Sequence, residues 1–252
     1  MIGDRVYIGG EDHFYYCFDL NDGHIIFKTQ LGGSVEGGTT VVDNHIYVDT
    51  EAGDLLCLNA DDGSIIWKAR IGADSNSTPA VINGFVYTAA EDGIVRCYKQ
   101  ETGELVWTYK AEGGLNQKTK EKNGFWASPI VANNRVYIGC NSGYMYCLSD
   151  KGELIWRHLV RAAIWGSSPV VDDRVVFGDK SGYVYILSAD KGDLISELKI
   201  GDNVDATPAV LDGKIYVGAF NGKFYCLGED EAATMQAGRP QPSPVRAADD
   251  RK

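Results

Sequence analysis

Five of the six cysteines occupy one position in a recurring phrase: Phe14-Tyr15-Tyr16-Cys17-Phe18, Leu55-Leu56-Cys57-Leu58, Val95-Arg96-Cys97-Tyr98, Met145-Tyr146-Cys147-Leu148 and Phe224-Tyr225-Cys226-Leu227. The spacings between them are 40, 40, 50 and 79 residues, and the last splits at Ile186 of Tyr185-Ile186-Leu187, which takes the cysteine's place. The chain is a tandem array of about six units. A period near 40 means that each unit is one supersecondary motif that buries its apolar face only against its neighbours. Composition alone, 44% hydrophobic and 23% charged over 252 residues, allows one large domain or two ordinary ones. The repeat decides for a single ring-like array.

Each unit spells out strands. A Ser-Pro or Thr-Pro phrase opens it at Thr78-Pro79, Ser128-Pro129, Ser168-Pro169 and Thr207-Pro208, where proline suits a strand start because its missing N–H leaves no ladder bond unmade. A second run follows, such as Val136-Tyr137-Ile138-Gly139, then a glycine turn and the cysteine-bearing strand. An Asp-Gly or related turn at Gly23, Gly63, Gly103, Gly152 or Gly192 precedes a last strand that carries Phe27, Trp67, Trp107, Trp156 or Ser196. β-branched and aromatic runs between Gly and Asx turns every 8–12 residues or so signal an all-β propeller, sandwich or barrel. A unit of about 40 residues with four strands selects the β-propeller. Its outer aromatic is placed to cover the seam between blades.

The phrase Leu55-Leu56-Cys57-Leu58-Asn59-Ala60-Asp61-Asp62-Gly63-Ser64-Ile65-Ile66-Trp67 resembles the tryptophan-docking repeat of the pyrroloquinoline-quinone-like (PQQ-like) β-propellers. The resemblance covers residues 1–228 and implies an all-β propeller of about six four-stranded blades, the first and last incomplete. One fold hosts many activities, so the resemblance does not by itself assign one. A closed six-bladed ring and an open part of a larger ring both fit the count, and an open ring exposes edges that invite self-association. Residues 229–252, with Pro240, Pro242 and Pro244, read as a disordered tail or linker. The fourth unit is about ten residues longer than the others, through 112–124, which marks the place for a private function.

A formal net charge of −11 and a pI near 4.8 argue against binding a nucleic-acid backbone. No apolar run reaches the ~18 residues of a membrane-spanning helix. The chain opens on Met1-Ile2-Gly3-Asp4-Arg5, which leads straight into a strand rather than an export signal. Aligned cysteines in successive blades lie too far apart to bridge and read as buried, inert thiols. Together these features favour the cytoplasm, whereas the family resemblance favours the periplasm or the exterior.

The resemblance raises the question of a quinone dehydrogenase, whose cofactor sits over the channel on a stacking aromatic with a calcium held by Glu, Asn and Asp. The loops before the first strands offer Glu36, Asn76, Trp126, Trp165 and Asp205: two rings that could stack on a flat ligand and three oxygen donors suited to calcium. Against PQQ and calcium stand the missing pair of adjacent cysteines, the absent Cys-x-x-Cys-His haem motif and a length less than half that of such dehydrogenases. His13, His24, His45 and His158 have no metal-ligand spacing, and no nucleophile elbow or phosphate loop occurs. Non-enzymatic relatives of the repeat include the lipoprotein scaffold of the outer-membrane β-barrel assembly machinery. The expectation is therefore a non-catalytic scaffold that holds a protein or peptide partner on a loop face. Its anchors would be Trp126, Trp165, Arg157, His158 and Arg161, an aromatic-plus-arginine composition typical of interfaces.

Overall fold

The computed structural model describes residues 3–112 and 123–228 and the backbone of 246–247. Its strands form six antiparallel sheets in chain order. Blade 1 holds β1 (Arg5–Gly9), β2 (Phe14–Asp19) and β3 (Ile25–Gln30). Blade 2 holds β4 (Thr40–Val42), β5 (His45–Asp49), β6 (Asp54–Asn59) and β7 (Ile65–Arg70). Blade 3 comprises β8 (Ala80–Ile82), β9 (Phe85–Ala89), β10 (Ile94–Lys99) and β11 (Leu105–Lys110), and blade 4 comprises β12 (Ile130–Ala132), β13 (Arg135–Gly139), β14 (Tyr144–Ser149) and β15 (Leu154–Leu159). Blade 5 is built from β16 (Val170–Val171), β17 (Arg174–Gly178), β18 (Tyr183–Ser188) and β19 (Leu194–Lys199). Blade 6 has β20 (Ala209–Leu211), β21 (Lys214–Ala219), β22 (Lys223–Leu227) and the short β23 (Arg246–Ala247). First strands of neighbouring blades meet, β4 with β8 and β8 with β12, so they line the axis. The prolines stand just before these strands, where no ladder bond is lost.

Register explains the cysteine. Tyr47, Cys57 and Trp67 are directly opposite one another across β5, β6 and β7, and the same row recurs as Tyr87-Cys97-Trp107 and Tyr137-Cys147-Trp156. The tyrosine and tryptophan rings meet across the small thiol, with centroids 5.9, 5.9 and 6.0 Å apart. A bulge follows each of these cysteines, between Cys57 and Leu58, Cys97 and Tyr98, and Cys147 and Leu148. In blade 5 the row reads Val176-Ile186-Ser196. Both aromatics are gone there, and the central residue is larger. Ile186 thereby recovers part of the space that the two lost aromatics leave.

The outer tryptophan then fastens its blade to the next. A Cβ on Gly103 would stand 2.6 Å from Trp67, and one on Gly152 or Gly192 would stand 2.6 Å from Trp107 or Trp156. These glycines also have φ near +70 to +80°, so the turn requires glycine twice over. Trp67 Nε1 donates to Gln100 O at 3.0 Å, Trp107 Nε1 to Asp150 O at 2.9 Å and Trp156 Nε1 to Ala189 O at 3.0 Å. Apolar clusters fill the seams 1–2, 2–3, 3–4, 4–5 and 5–6. Among the described residues none of these clusters joins blade 6 to blade 1. Over the described residues the six blades follow one another in an arc of five apolar seams.

One expectation needs correction. Cys17, Cys57, Cys97 and Cys147 are buried, as is Cys140, but Cys226 is exposed. It sits on the side of blade 6 turned away from blade 5, where none of the described residues covers the row. Of the insertion at 112–124, residues 113–122 lie outside the described residues, and so does the tail at 229–252 apart from the backbone of 246–247.

Candidate partner-binding face

Each loop from a last strand to the next first strand ends in the same three steps. A plug residue comes first, Val35, Ser75, Phe125, Ile164 or Val204, and all five are buried. Val35, Ile164 and Val204 press on Gly9, Gly139 and Gly178, where an added Cβ would meet them within 2.2–2.4 Å. That contact accounts for the glycine that closes Val-Tyr-Ile-Gly. The next residue is Glu36, Asn76, Trp126, Trp165 or Asp205, so five of the sequence-derived candidates are equivalent positions on one face of the arc. A hydroxyl belt comes third. Gly38 N donates to Thr78 Oγ1 at 2.9 Å, Thr78 N to Ser128 Oγ at 2.8 Å, Ser128 N to Ser167 Oγ at 3.3 Å and Ser167 N to Thr207 Oγ1 at 3.0 Å. A Ser or Thr one or two residues before the proline thus ties blade to blade around the axis.

On this belt Trp126 and Trp165 touch, with ring centroids 4.2 Å apart and planes inclined by 35°. Trp126 is 37% exposed, and its Nε1 donates to Glu91 Oε1 at 2.6 Å. Lys180 Nζ lies 3.1 Å from the centroid of Trp165, a close cation–π contact. Trp165 Nε1, Asn76 Oδ1 and Asp205 Oδ1 are buried atoms with no protein hydrogen-bond partner. The opposite half of the face is acidic. Glu36 shares a hydrogen bond with Glu51 and is held above the usual carboxylate range by it, with Asp74 and Glu11 adding repulsion. Asp74 is also raised, by burial first and then by Glu91 and Glu51.

The arginines and the histidine do not join this patch. Arg161 pairs with both Glu197 oxygens, one at 2.7 Å, and donates to Tyr185 Oη at 3.1 Å, so its charge is already matched. Arg157 reaches Glu112 Oε2 at 3.4 Å and lies 5.1 Å from the Tyr144 ring. His158 points to the other side of β15, where Nδ1 is 2.9 Å from Gly192 O in the turn of blade 5. Strand alternation separates Arg157 from His158, and sequence proximity had hidden that.

The residues also fail to make one calcium shell. Glu36, Asn76 and Asp205 belong to blades 2, 3 and 6, and their surroundings differ. Glu36 is met by carboxylates, whereas Asp205 is raised by burial and opposed by Lys180. The two tryptophans leave no slot between them for a flat ring. Among the described residues, Asp19, Asp22 and His24 are the one acid–histidine group close enough for a shared ion, and Asp22 and His24 are exposed in a turn. Cavities of about 350 and 490 Å³ lie at the opposite ends of the strands, around Arg135 and Tyr137 and around His45 and Tyr47, away from the tryptophans.

Sequence reasoning missed a polar site at the seam of blades 2 and 3. Asp49 stands where other units have glycine or alanine, and Ser75 where they have an apolar plug. Asp49 is 1% exposed; Ser75 Oγ donates to Oδ2 at 2.9 Å, Ser77 Oγ at 3.1 Å, and Thr88 Oγ1 donates as well. Oδ1 has no partner, and burial pushes the carboxyl up to about 7 against those hydroxyls and Arg96. A comparison of the units position by position shows the signal.

The fold has counterparts among solved structures. BamB from Moraxella catarrhalis superposes with a TM-score of 0.75 at 18% identity, over 90% of this chain and 68% of that one. The computationally designed Ika8 protein superposes with a TM-score of 0.78 at 16% identity, over the same shares. No curated protein matches significantly in sequence. The family model described as outer membrane protein assembly factor BamB matches residues 15–164 and 97–246. A cysteine-marked PQQ-like repeat, tryptophans seated on turn glycines and a belt of loop hydroxyls thus place the chain in the BamB family of PQQ-like β-propellers.

Proposed function

We propose that the chain is a non-catalytic adaptor that holds a partner protein or extended peptide across the loop face, with Trp126 and Trp165 as its anchor. One observation carries this reading: on the loop face an exposed tryptophan, Trp126, packs on a second indole, Trp165. Large aromatics supply most of the energy at protein interfaces. The family's description as an assembly factor supports protein handling rather than chemistry. We place the protein in the cytoplasm, since Cys226 is an exposed free thiol suited to a reducing medium; release by osmotic shock would contradict that.

The test is affinity capture from the native host with the wild-type chain and with Trp126→Ala and Trp165→Ala. Partners held through this face are lost from both variants, with a drop in affinity of at least tenfold, since a central aromatic contributes about 2 kcal/mol or more. An unchanged partner set from two folded variants overturns the assignment.

A further inference from the structure

At the ends of the strands opposite the loop face, two seams are tied by an arginine. Arg5 and Arg135 open β1 and β13, the strands of the Val-Tyr-Ile-Gly phrase. Arg5 Nη1 donates to Ala60 O of blade 2 at 2.8 Å and lies 3.3 Å from Asp61 Oδ1. Arg135 Nη1 donates to Ala189 O and Asp190 O of blade 5, both at 3.0 Å. Tyr7 and Tyr137 donate their hydroxyls to the same carbonyls of Ala60 and Ala189, each at 3.1 Å. The earlier blade thus sends a guanidinium to the carbonyl that follows β6 or β18 in the later one.

Between blades 2 and 3 that guanidinium is missing. His45 opens β5 in its place, and Nδ1 lies 2.6 Å from Asp43 O, so the ring is held on its own turn. The matching carbonyl, Gln100 O, accepts Trp67 Nε1 at 3.0 Å, and Glu101 takes the place of Asp61 and Asp190. A cavity of about 490 Å³ stands there, with Asp43, His45, Tyr47, Phe85, Gln100 and Glu101 in its walls. The cavity beside Arg135 is smaller, about 350 Å³. Lys99 at the edge of the larger one is already matched by Glu104 at 2.6 Å. Among the described residues no cation pairs with Asp43 or Glu101.

We propose that this cavity binds an alkylguanidinium, the head of an arginine from outside the fold, in the place that Arg5 and Arg135 fill from within. A guanidinium is planar, offers several N–H donors in a fixed fork and stacks on aromatic rings, which suits a carbonyl, two carboxylates and the rings of Tyr47 and Phe85. An ammonium brings the charge without the fork or the stack. The site lies away from Trp126 and Trp165, so its test is independent of the partner capture above.

The indole N–H of Trp67 reports on the site, because it shares Gln100 O with the incoming group. In proton–nitrogen NMR, with the resonance assigned by Trp67→Phe, N-acetyl-arginine amide shifts it to saturation. N-acetyl-lysine amide binds about tenfold more weakly. His45→Arg refills the seam as Arg135 does and abolishes the response. Asp43→Asn combined with Glu101→Gln, both at exposed turn positions, weakens binding by about tenfold. A wild-type titration with no saturable shift overturns the proposal, as does an equal response to the lysine form. Undiminished binding in His45→Arg or in the double variant overturns it too. Free L-arginine separates the sources: tighter binding than the capped form assigns the free amino acid, and equal or weaker binding assigns a protein side chain.

Discussion

Asp49 makes the stability of this fold depend on pH in a window where most carboxylates are silent. Its side chain is enclosed at the seam of blades 2 and 3, accepts hydroxyl donors from Ser75, Ser77 and Thr88 on Oδ2 and has no partner on Oδ1. Desolvation outweighs those hydroxyls and the nearby Arg96, so the folded carboxyl titrates at about 7 instead of 3.8. The native state then binds the proton more tightly than the unfolded state. Stability is full below pH ~4, falls as pH rises and levels off once the pH has passed ~7. A proton affinity raised by that much corresponds to roughly 4 kcal/mol, a large share of the 5–15 kcal/mol typical of a domain.

Asp49→Asn keeps the shape and the acceptor oxygen but cannot ionise. Urea unfolding at several pH values between 4.5 and 7.5 isolates the effect in the difference between wild type and variant, because Asp74, Asp205 and the surface carboxylates are common to both. The two proteins should be of similar stability near pH 4.5. The variant should be more stable at pH 7.5, by an amount of the order of the 4 kcal/mol above. Parallel curves would show that water or a rearranged Arg96 solvates the carboxylate, and the desolvation argument would fail.

Two further outcomes follow from the blade rows. A small thiol reagent should modify one cysteine promptly and the other five slowly, because Cys226 is exposed while burial pushes Cys57 and Cys147 up to about 11 and Cys97 up to about 12. Cys226→Ser should remove the fast phase, and a fast phase that persists would place another thiol at the surface. Cys147→Ile should lower stability by about 1–3 kcal/mol in urea unfolding, since the branched chain has no room between Tyr137 and Trp156, whose centroids are 6.0 Å apart. Wild-type stability in that variant would refute the volume argument for the row.

What the sequence made legible was whatever the repeat states more than once. The strands, the cysteine position and the tryptophan seats recur, so each copy corroborates the others, and the structure places them in matching registers. The row Val176-Ile186-Ser196 was legible only in part: the lost tryptophan was visible at Ser196, but the compensating bulk at Ile186 needs the register to connect them. Arg157, His158 and Arg161 were misread as one cluster because closeness in sequence says nothing about which side of a strand a residue takes. His158 turns to Gly192 of the next blade while Arg157 turns to Glu112 of the previous one.

Asp49 and Cys226 were missed for opposite reasons. Asp49 is a departure confined to one unit, and an aspartate after a strand reads as an ordinary turn residue until the pairing with Ser75 is known. Cys226 departs in nothing, since its phrase is intact, and it is exposed because none of the described residues packs on that side of blade 6. In a repeat protein the sequence of a unit specifies two faces, but burial belongs to pairs of units. The same residues are therefore core in blades 2 to 4 and surface at the ends of the arc. Function follows that division: the loop belt, tied across the seams from blade 2 to blade 6, offers one continuous face that no single unit could build.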